Sequence, residues 1–144
     1  MKVRDILKVK GDTVATVRPD ISAIMAIKRM KADRIGTVVV CDADGGLRGI
    51  FSERDIVYAL AAQGARALDL PVGDLMTRSV VTCSPDESIA VVMRAMTERR
   101  IRHLPVLAEG KLVGIVSIGD VVKNRLEEAE LESRVLRDAY IASH

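Results

Sequence analysis

Gly49-Ile50-Phe51-Ser52-Glu53-Arg54-Asp55 has a second copy in the same chain, Gly114-Ile115-Val116-Ser117-Ile118-Gly119-Asp120. In each copy a glycine and two apolar residues close a strand pattern. A serine follows, and an aspartate three residues later leads into an apolar, helix-like run. A strand feeding a helix whose first turn carries Ser and Asp is a place where polar groups converge on exposed backbone N–H groups. The rest of the sequence reads as support for two such places.

Working outward from the motif, the repeat extends over most of the chain. Val3-Arg4-Asp5-Ile6-Leu7 recurs as Val72-Gly73-Asp74-Leu75-Met76, an offset of 72 − 3 = 69. Arg18-Pro19-Asp20 recurs as Ser84-Pro85-Asp86, an offset of 85 − 19 = 66, and Met30…Arg34-Ile35 recurs as Met96…Arg100-Ile101, again 66. Gly49 to Gly114 gives 65. The drift from 69 to 65 is expected to fall in two turns, where length changes cost least. The organisation is therefore a first repeat over residues 1–62, a linker over 63–70, a second repeat over 71–126, and an extension over 127–144.

Periodicity fills in the elements. Thr13–Val17 and Ser79–Cys83 are short, β-branched and strand-like. Ser84-Pro85-Asp86-Glu87 predicts a helix start, with Ser84 as cap, Pro85 in the first position and Glu87 completing a capping box. Ile89, Val92, Met93 and Met96 then recur at helical spacing, as Ile21, Ile24, Ile27 and Met30 do in the first half. Gly36–Val40 and Arg102–Val106 read as buried strands, Leu47–Phe51 and Lys111–Val116 as their successors. Helices over Ser52–Ala62 and Ser117–Arg125 close each β-α-β-β-α half. Leu126, Ala129, Val135, Leu136, Ala139 and Tyr140 suggest a further amphipathic helix, for surface packing or for docking.

The totals exclude several classes. Of 144 residues 49% are hydrophobic, enough for one core or two small ones, yet the only aromatics are Phe51, Tyr58 and Tyr140. Without aromatic platforms, and with 22 basic residues against 20 acidic, nucleic-acid binding has little support. No apolar run approaches a membrane span and no leader opens the chain. Cys41 and Cys83 match no metal spacing and read as reduced, buried residues of a cytoplasmic protein. Among the two histidines, His103 and the terminal His144, neither has a nucleophile arrangement around it, so no catalytic residue and no metal site is expected.

Ser-x-x-Asp at a helix start is itself a capping pattern, so the motif alone is read equally as a cap or as a ligand site. Its surroundings favour a ligand. A first-turn carboxylate can accept hydrogen bonds from a cis-diol, the helix end favours phosphate, and Ile50, Ile115 and Ile101 offer walls for a purine. Arg54, Arg100, Arg102 and His103 supply donors, although Arg99 and Arg100 also suit a solvated turn. Arg102, between Ile101 and the apolar run Leu104–Leu107, is expected to need a ligand or a carboxylate partner.

Two β-α-β-β-α repeats, each ending Gly-h-h-Ser-x-x-Asp (h being apolar), resemble a tandem pair of cystathionine-β-synthase (CBS) domains, the Bateman module. Val-x-Asp openings, Pro-Asp helix starts and Arg102-His103-Leu104-Pro105-Val106 belong to the same resemblance, which covers about residues 1–126 and is nearest to small stand-alone bacterial signal-transduction members. It implies an α/β (α+β) fold with the repeats packed about a pseudo-twofold axis, plus the C-terminal helix. It also implies two clefts that bind adenosyl ligands such as AMP, ADP, ATP or NAD, without a catalytic cofactor. One cleft would hold Ile50, Ser52, Arg54 and Asp55 with Thr77, Ile101, Arg102, His103 and Pro105. The other would hold Ile115, Ser117 and Asp120 with Ile35, Gly36 and Thr37. Arg54 aligns with Gly119 (54 + 65 = 119) and Arg102 with Gly36 (36 + 66 = 102), so the first cleft is expected to take the more charged ligand and the second a less charged one or none. The implied role is a regulatory sensor, a homodimer acting on a separate effector protein. The competing expectation is a ligand-free assembly module whose Ser/Asp pairs are only caps.

Overall fold

Strands rich in Val and Ile suit a pleated, buried surface, and each half of the chain is built on a hairpin of them. The computed structural model describes residues 1–143, so His144 lies outside the described residues. In chain order the elements are α1 (Val3–Lys10), β1 (Thr16–Val17), α2 (Ala23–Asp33), β2 (Thr37–Cys41), β3 (Leu47–Ser52), α3 (Glu53–Gln63), α4 (Val72–Leu75), α5 (Ile89–Arg99), β4 (His103–Ala108), β5 (Lys111–Ser117) and α6 (Ile118–Ser143). A 3₁₀ helix over Gly64–Asp69 carries the linker. β2 pairs antiparallel with β3 and parallel with β1, and β4 pairs antiparallel with β5. The expected α/β architecture with a C-terminal helix is therefore present.

The second hairpin turns on Glu109 (φ 53°) and Gly110 (φ 77°), two left-handed residues that match the twist of the flanking strands. The first hairpin spends one residue more, over positions 42–46, and that accounts for the offset falling from 66 to 65. The earlier fall, from 69 to 66, is not in a turn. It lengthens a helix: α1 has 8 residues and α4, its counterpart, has 4. α4 stops because the chain beyond it finds a β partner, Thr77 exchanging two backbone hydrogen bonds with Ile50 (2.8 and 3.0 Å).

Three further expectations are corrected. The first strand shortens to Thr16–Val17, and its counterpart over Ser79–Cys83 reduces to one parallel bridge between Cys83 and Val106. The helix expected from Ser84 begins at Ile89, capped by Ser88, whose hydroxyl accepts from the Val91 N–H (3.2 Å). Ser84–Glu87 forms a turn instead. The Glu87 carboxylate still accepts from the Ser84 N–H (3.3 Å), but the Pro85 and Glu87 carbonyls accept from Arg4 and Val3 and cannot serve a helix. Finally, the helices expected over Ser117–Arg125 and beyond are one. With neither Gly nor Pro after Gly119 and many strong helix formers, α6 continues to Ser143.

There are two hydrophobic cores, and neither is made by one repeat alone. Val3 and Ile6 of α1 are buried with Ile89, Val92, Met96, Leu104, Val106 and Val116. Val72 and Met76 are buried with Ala23, Ala26, Met30, Val38, Val40 and Phe51. The opening helix of each repeat thus completes the core of the other. Matching backbone bonds anchor it: Val3 N–H to Glu87 C=O and Val72 N–H to Ile21 C=O, Ile89 N–H to Met1 C=O and Ala23 N–H to Leu70 C=O. Thr37 and His103, equivalent positions (37 + 66 = 103), meet through Oγ1 and Nδ1 at 3.2 Å. Equivalent positions touch each other only on a symmetry axis, so this pair marks the pseudo-twofold between the repeats.

Candidate functional site

Each Ser/Asp motif turns a strand into a helix, and the turn fixes where its carboxylate sits. At the start of α3 the Asp55 carboxylate accepts from the Ser52 N–H (2.8 Å) and hydroxyl (3.2 Å) through one oxygen. Its other oxygen accepts from the Thr77 hydroxyl (2.8 Å), which the Ile50–Thr77 bridge holds in place. At the start of α6 the Asp120 carboxylate accepts from the Ser117 N–H (2.9 Å), while the Asp120 N–H donates to the Ser117 hydroxyl (3.1 Å). There the opposing group is the Lys10 ammonium, 2.7 Å from Asp120, which also donates to the Ile115 carbonyl (2.9 Å). Both motifs are therefore caps. The first N–H of each helix is also occupied, Glu53 donating to the Gly36 carbonyl (3.1 Å) and Ile118 to the Arg102 carbonyl (2.8 Å).

Beside the first motif lies a cleft of about 430 Å³. Its apolar side is Ile50, Val80, Val81 and Ile101; its polar side is Ser52, Glu53, Arg54, Thr77, Ser79, Arg100, Arg102 and His103. Gly36 and Thr37, assigned to the second cleft from the sequence, line this one, because the axis runs through Thr37 and His103. Ile35 lies in an adjoining hollow of about 350 Å³ with Lys31, Arg34 and Glu53. Pro105 is buried in β4 opposite Ile115. Asp55 stands behind Ser52 and Thr77, both of which reach the cleft. Ile115, Ser117 and Asp120 surround Lys10 instead.

The arginines decide the electrostatics. Arg102 is exposed at the cleft rather than enclosed by its apolar neighbours, so it carries no burial penalty and needs no internal partner. Arg54 and Arg100 are exposed there too, and none of the three is ion-paired among the described residues. Arg100 reaches the cleft because it ends α5 in the left-handed conformation (φ 54°). Arg100 is among the donors expected from the sequence, whereas no local pattern singles out Ser79–Val81, which cross the cleft because the bridge at Thr77 aims them there. Burial, aided by the charges of Lys10 and Arg102 and opposed by Asp120 and Glu53, pushes His103 below its ordinary value, so at pH 7 it is neutral. Burial alone would raise Asp120, but the hydrogen bonds from Lys10 and Ser117 outweigh it and hold this carboxyl low. The Cys83 thiol, buried near Glu87, is pushed up to about 12 and is inert. Among the described residues no His/Cys/Asp/Glu group could hold a metal ion, and no helix is long and apolar enough to cross a membrane.

The profile of the CBS domain matches residues 3–62 and again residues 72–127. The chain is 49% identical to the CBS-domain-containing protein ATU1752 from Agrobacterium tumefaciens, covering 87% of this chain and 99% of that one, with a TM-score of 0.84. It is 34% identical over 113 residues to the CBS domain-containing protein YhcV of Bacillus subtilis, covering 78% of this chain and 79% of that protein. The CBS domain pair of protein MJ0100, whose crystal structure is a complex with 5′-methylthioadenosine and S-adenosyl-L-methionine, matches at 30% identity and a TM-score of 0.77, covering 90% of this chain and 98% of that one.

Proposed function

The chain belongs to the CBS domain family, with two copies in tandem, and on that premise we propose that it is a non-catalytic regulatory module binding an adenosyl nucleotide (AMP, ADP, ATP or NAD) in the Ser52–Asp55 cleft. One observation carries the reading: three guanidinium groups without ion-pair partners among the described residues, Arg54, Arg100 and Arg102, face a single cleft beside a carboxylate fixed at a helix start. Its 430 Å³ lies in the range of roughly 300–1,000 Å³ usual for small-molecule sites. A purine fits between Ile50, Val80 and Ile101, and phosphates meet the arginines. A carboxylate offers about four acceptor positions, of which three are used on Asp55, so a ribose hydroxyl takes the fourth or displaces the Thr77 hydroxyl. The adenosyl ligands of the MJ0100 structure support the ligand class.

AMP has ~23 non-hydrogen atoms, which at about 0.3 kcal/mol each gives roughly 7 kcal/mol. The corresponding dissociation constant is on the order of 10 μM. A ligand at 100 times that value adds about 2.7 kcal/mol of stability, several degrees in Tm for a chain of this size. The test is a thermal-shift and calorimetric panel of AMP, ADP, ATP, NAD and S-adenosylmethionine on wild type and Asp55→Ala, in protein freed of co-purified nucleotide. A shift with one ligand, lost in the variant, is expected.

The second reading, a ligand-free assembly module, is favoured by one specific observation: both Ser/Asp pairs do close as caps. Absence of any shift across the panel would leave that reading standing. A homodimer and a separate effector fit either reading. Met25 and Val91, and Val57 and Val122, are exposed apolar residues at equivalent positions (25 + 66 = 91; 57 + 65 = 122), and exposed apolar side chains of this kind are what a twofold interface buries. Light scattering checks the dimer. The unpaired, buried Cys41 and Cys83 support a reducing, cytoplasmic setting.

A further inference from the structure

The two motifs are copies, yet the group facing Asp120 differs in kind from the group facing Asp55. We propose that Lys10 decides the ligand occupancy of the second cleft: its ammonium stands on Asp120 where an adenosyl ligand would bind, so each chain offers one nucleotide site and not two. The proposal rests on the reading of the Ser52–Asp55 cleft as an adenosyl site and assigns a cause to the inequality of the pair.

The cause is the extra turn of α1. The three residues by which the opening offset exceeds the next (69 − 66 = 3) extend this helix to Lys10, where Gly11 ends it at φ 94°. Val3 and Ile6 anchor the helix in the core of the second repeat, and Leu7 lies against Gly114 so closely that an added Cβ would stand 2.7 Å from Leu7 Cδ2. Lys10 is thus delivered to β5 by a fixed element, not by a loose tail. Its ammonium donates to the Asp120 carboxylate and the Ile115 carbonyl, two acceptors that belong to the second motif and its strand. The side chain is 33% exposed and that of Asp120 24%, so solvent screens the pair only in part.

The Lys10 ammonium and the Ser117 N–H share one oxygen of Asp120, Oδ2, and a ligand hydroxyl taking that oxygen would replace a charge-assisted hydrogen bond with a neutral one, which is about half as strong. The second cleft also offers fewer cations. Where the first has Arg54 and Arg102, it has Gly119 and Gly36, and only Arg100 keeps a counterpart, Arg34 (34 + 66 = 100). Lys10 is already committed to Asp120 and Ile115.

The test is binding stoichiometry, by calorimetry and equilibrium dialysis, with ADP and separately with 5′-methylthioadenosine. Wild type is expected to bind one ligand per chain and Lys10→Met two, while Lys10→Met/Asp120→Asn returns to one. Lys10→Gln, which keeps a donor and nearly the same length, guards against a folding defect and is expected to gain the site more weakly than Lys10→Met. Two ligands per chain in wild type, or no gain in either Lys10 variant, would overturn the proposal. If wild type binds none but Lys10→Met binds one that depends on Asp120, the first-cleft reading falls and the role of Lys10 stands. No binding by either protein removes both.

Discussion

The Ser52–Asp55 and Ser117–Asp120 sites share a strand, a turn and a helix start, and they differ in what reaches the carboxylate from the opposite repeat. A hydroxyl from Thr77 leaves the first site open to a cleft with three free cations. An ammonium from Lys10 pairs with one oxygen of the second carboxylate. The difference comes from one helical turn in a segment outside both motifs. Two identical signatures therefore do not make two identical sites; the element packed across from each decides what it does.

The largest expected effect separates the two backbones. A Cβ at Gly49 would stand 2.6 Å from the Thr77 carbonyl oxygen and 2.8 Å from Met76 Sδ, and the carbonyl belongs to the bridge that builds the first cleft. Gly49→Ala should cost about 3 kcal/mol, the upper end for overpacking. Gly114→Ala meets only the flexible end of Leu7 and should cost about 1 kcal/mol. Urea denaturation measures both, and equal losses would mean that the bridge at Thr77 is not the rigid member of the pair.

Next comes an exchange of character. Arg102→Gly gives the first cleft the residue that the second has at Gly36. Losing a hydrogen bond to a charged group costs about 1.5–3 kcal/mol, so ADP should bind roughly 10- to 100-fold more weakly while adenosine is little affected. Equal losses for both ligands would place Arg102 away from the phosphates.

A smaller effect tests the caps. Asp55→Ala and Asp120→Ala should each lose about 1 kcal/mol as caps at pH 7. Asp120 carries a pH signature because its carboxyl is held low in the folded chain. Its contribution is full above the unfolded value near 3.8 and disappears as pH falls through the lower folded value. The gap between wild type and Asp120→Ala should therefore close in thermal unfolding at strongly acid pH. A gap that survives there would mean that the Lys10 pair adds nothing.

The smallest effect lies on the axis. His103 is depressed below its ordinary 6.5, so the folded chain favours the neutral ring. That contribution is full above 6.5 and is lost as pH falls toward the folded value. Wild type should lose stability between pH 7 and 5, and His103→Gln should flatten the slope; an unchanged slope would assign it to other groups.

Much of this was legible in the sequence because repetition gives every residue a counterpart. The hairpins and the α/β order follow from periodicity and from the offset, while the grouping of Ser52, Arg54, Thr77, Ile101, Arg102 and His103 around one cleft follows from the resemblance to the CBS pair. The exceptions have physical reasons. Pro85-Asp86 looks like a helix start but lends its carbonyls to α1, a long-range pairing that no local pattern reveals. Lys10 lies in no motif, and its importance depends on helix length and on Ile115, 105 residues away. Arg102 sits in an apolar stretch yet stays exposed because β4 begins one residue after it, at His103, and full burial begins only at Leu104.

The exchange of opening helices carries a consequence for ancestry. A lone repeat would present its opening helix to nothing and leave its own sheet short of Val3 and Ile6, or of Val72 and Met76. Such a unit is stable only when two copies trade arms, which is domain swapping. The present chain is, in architecture, a swapped pair of half-length proteins joined end to end by the Gly64–Asp69 segment. In one chain the two arms need not be alike: α1 has 8 residues and α4 has 4.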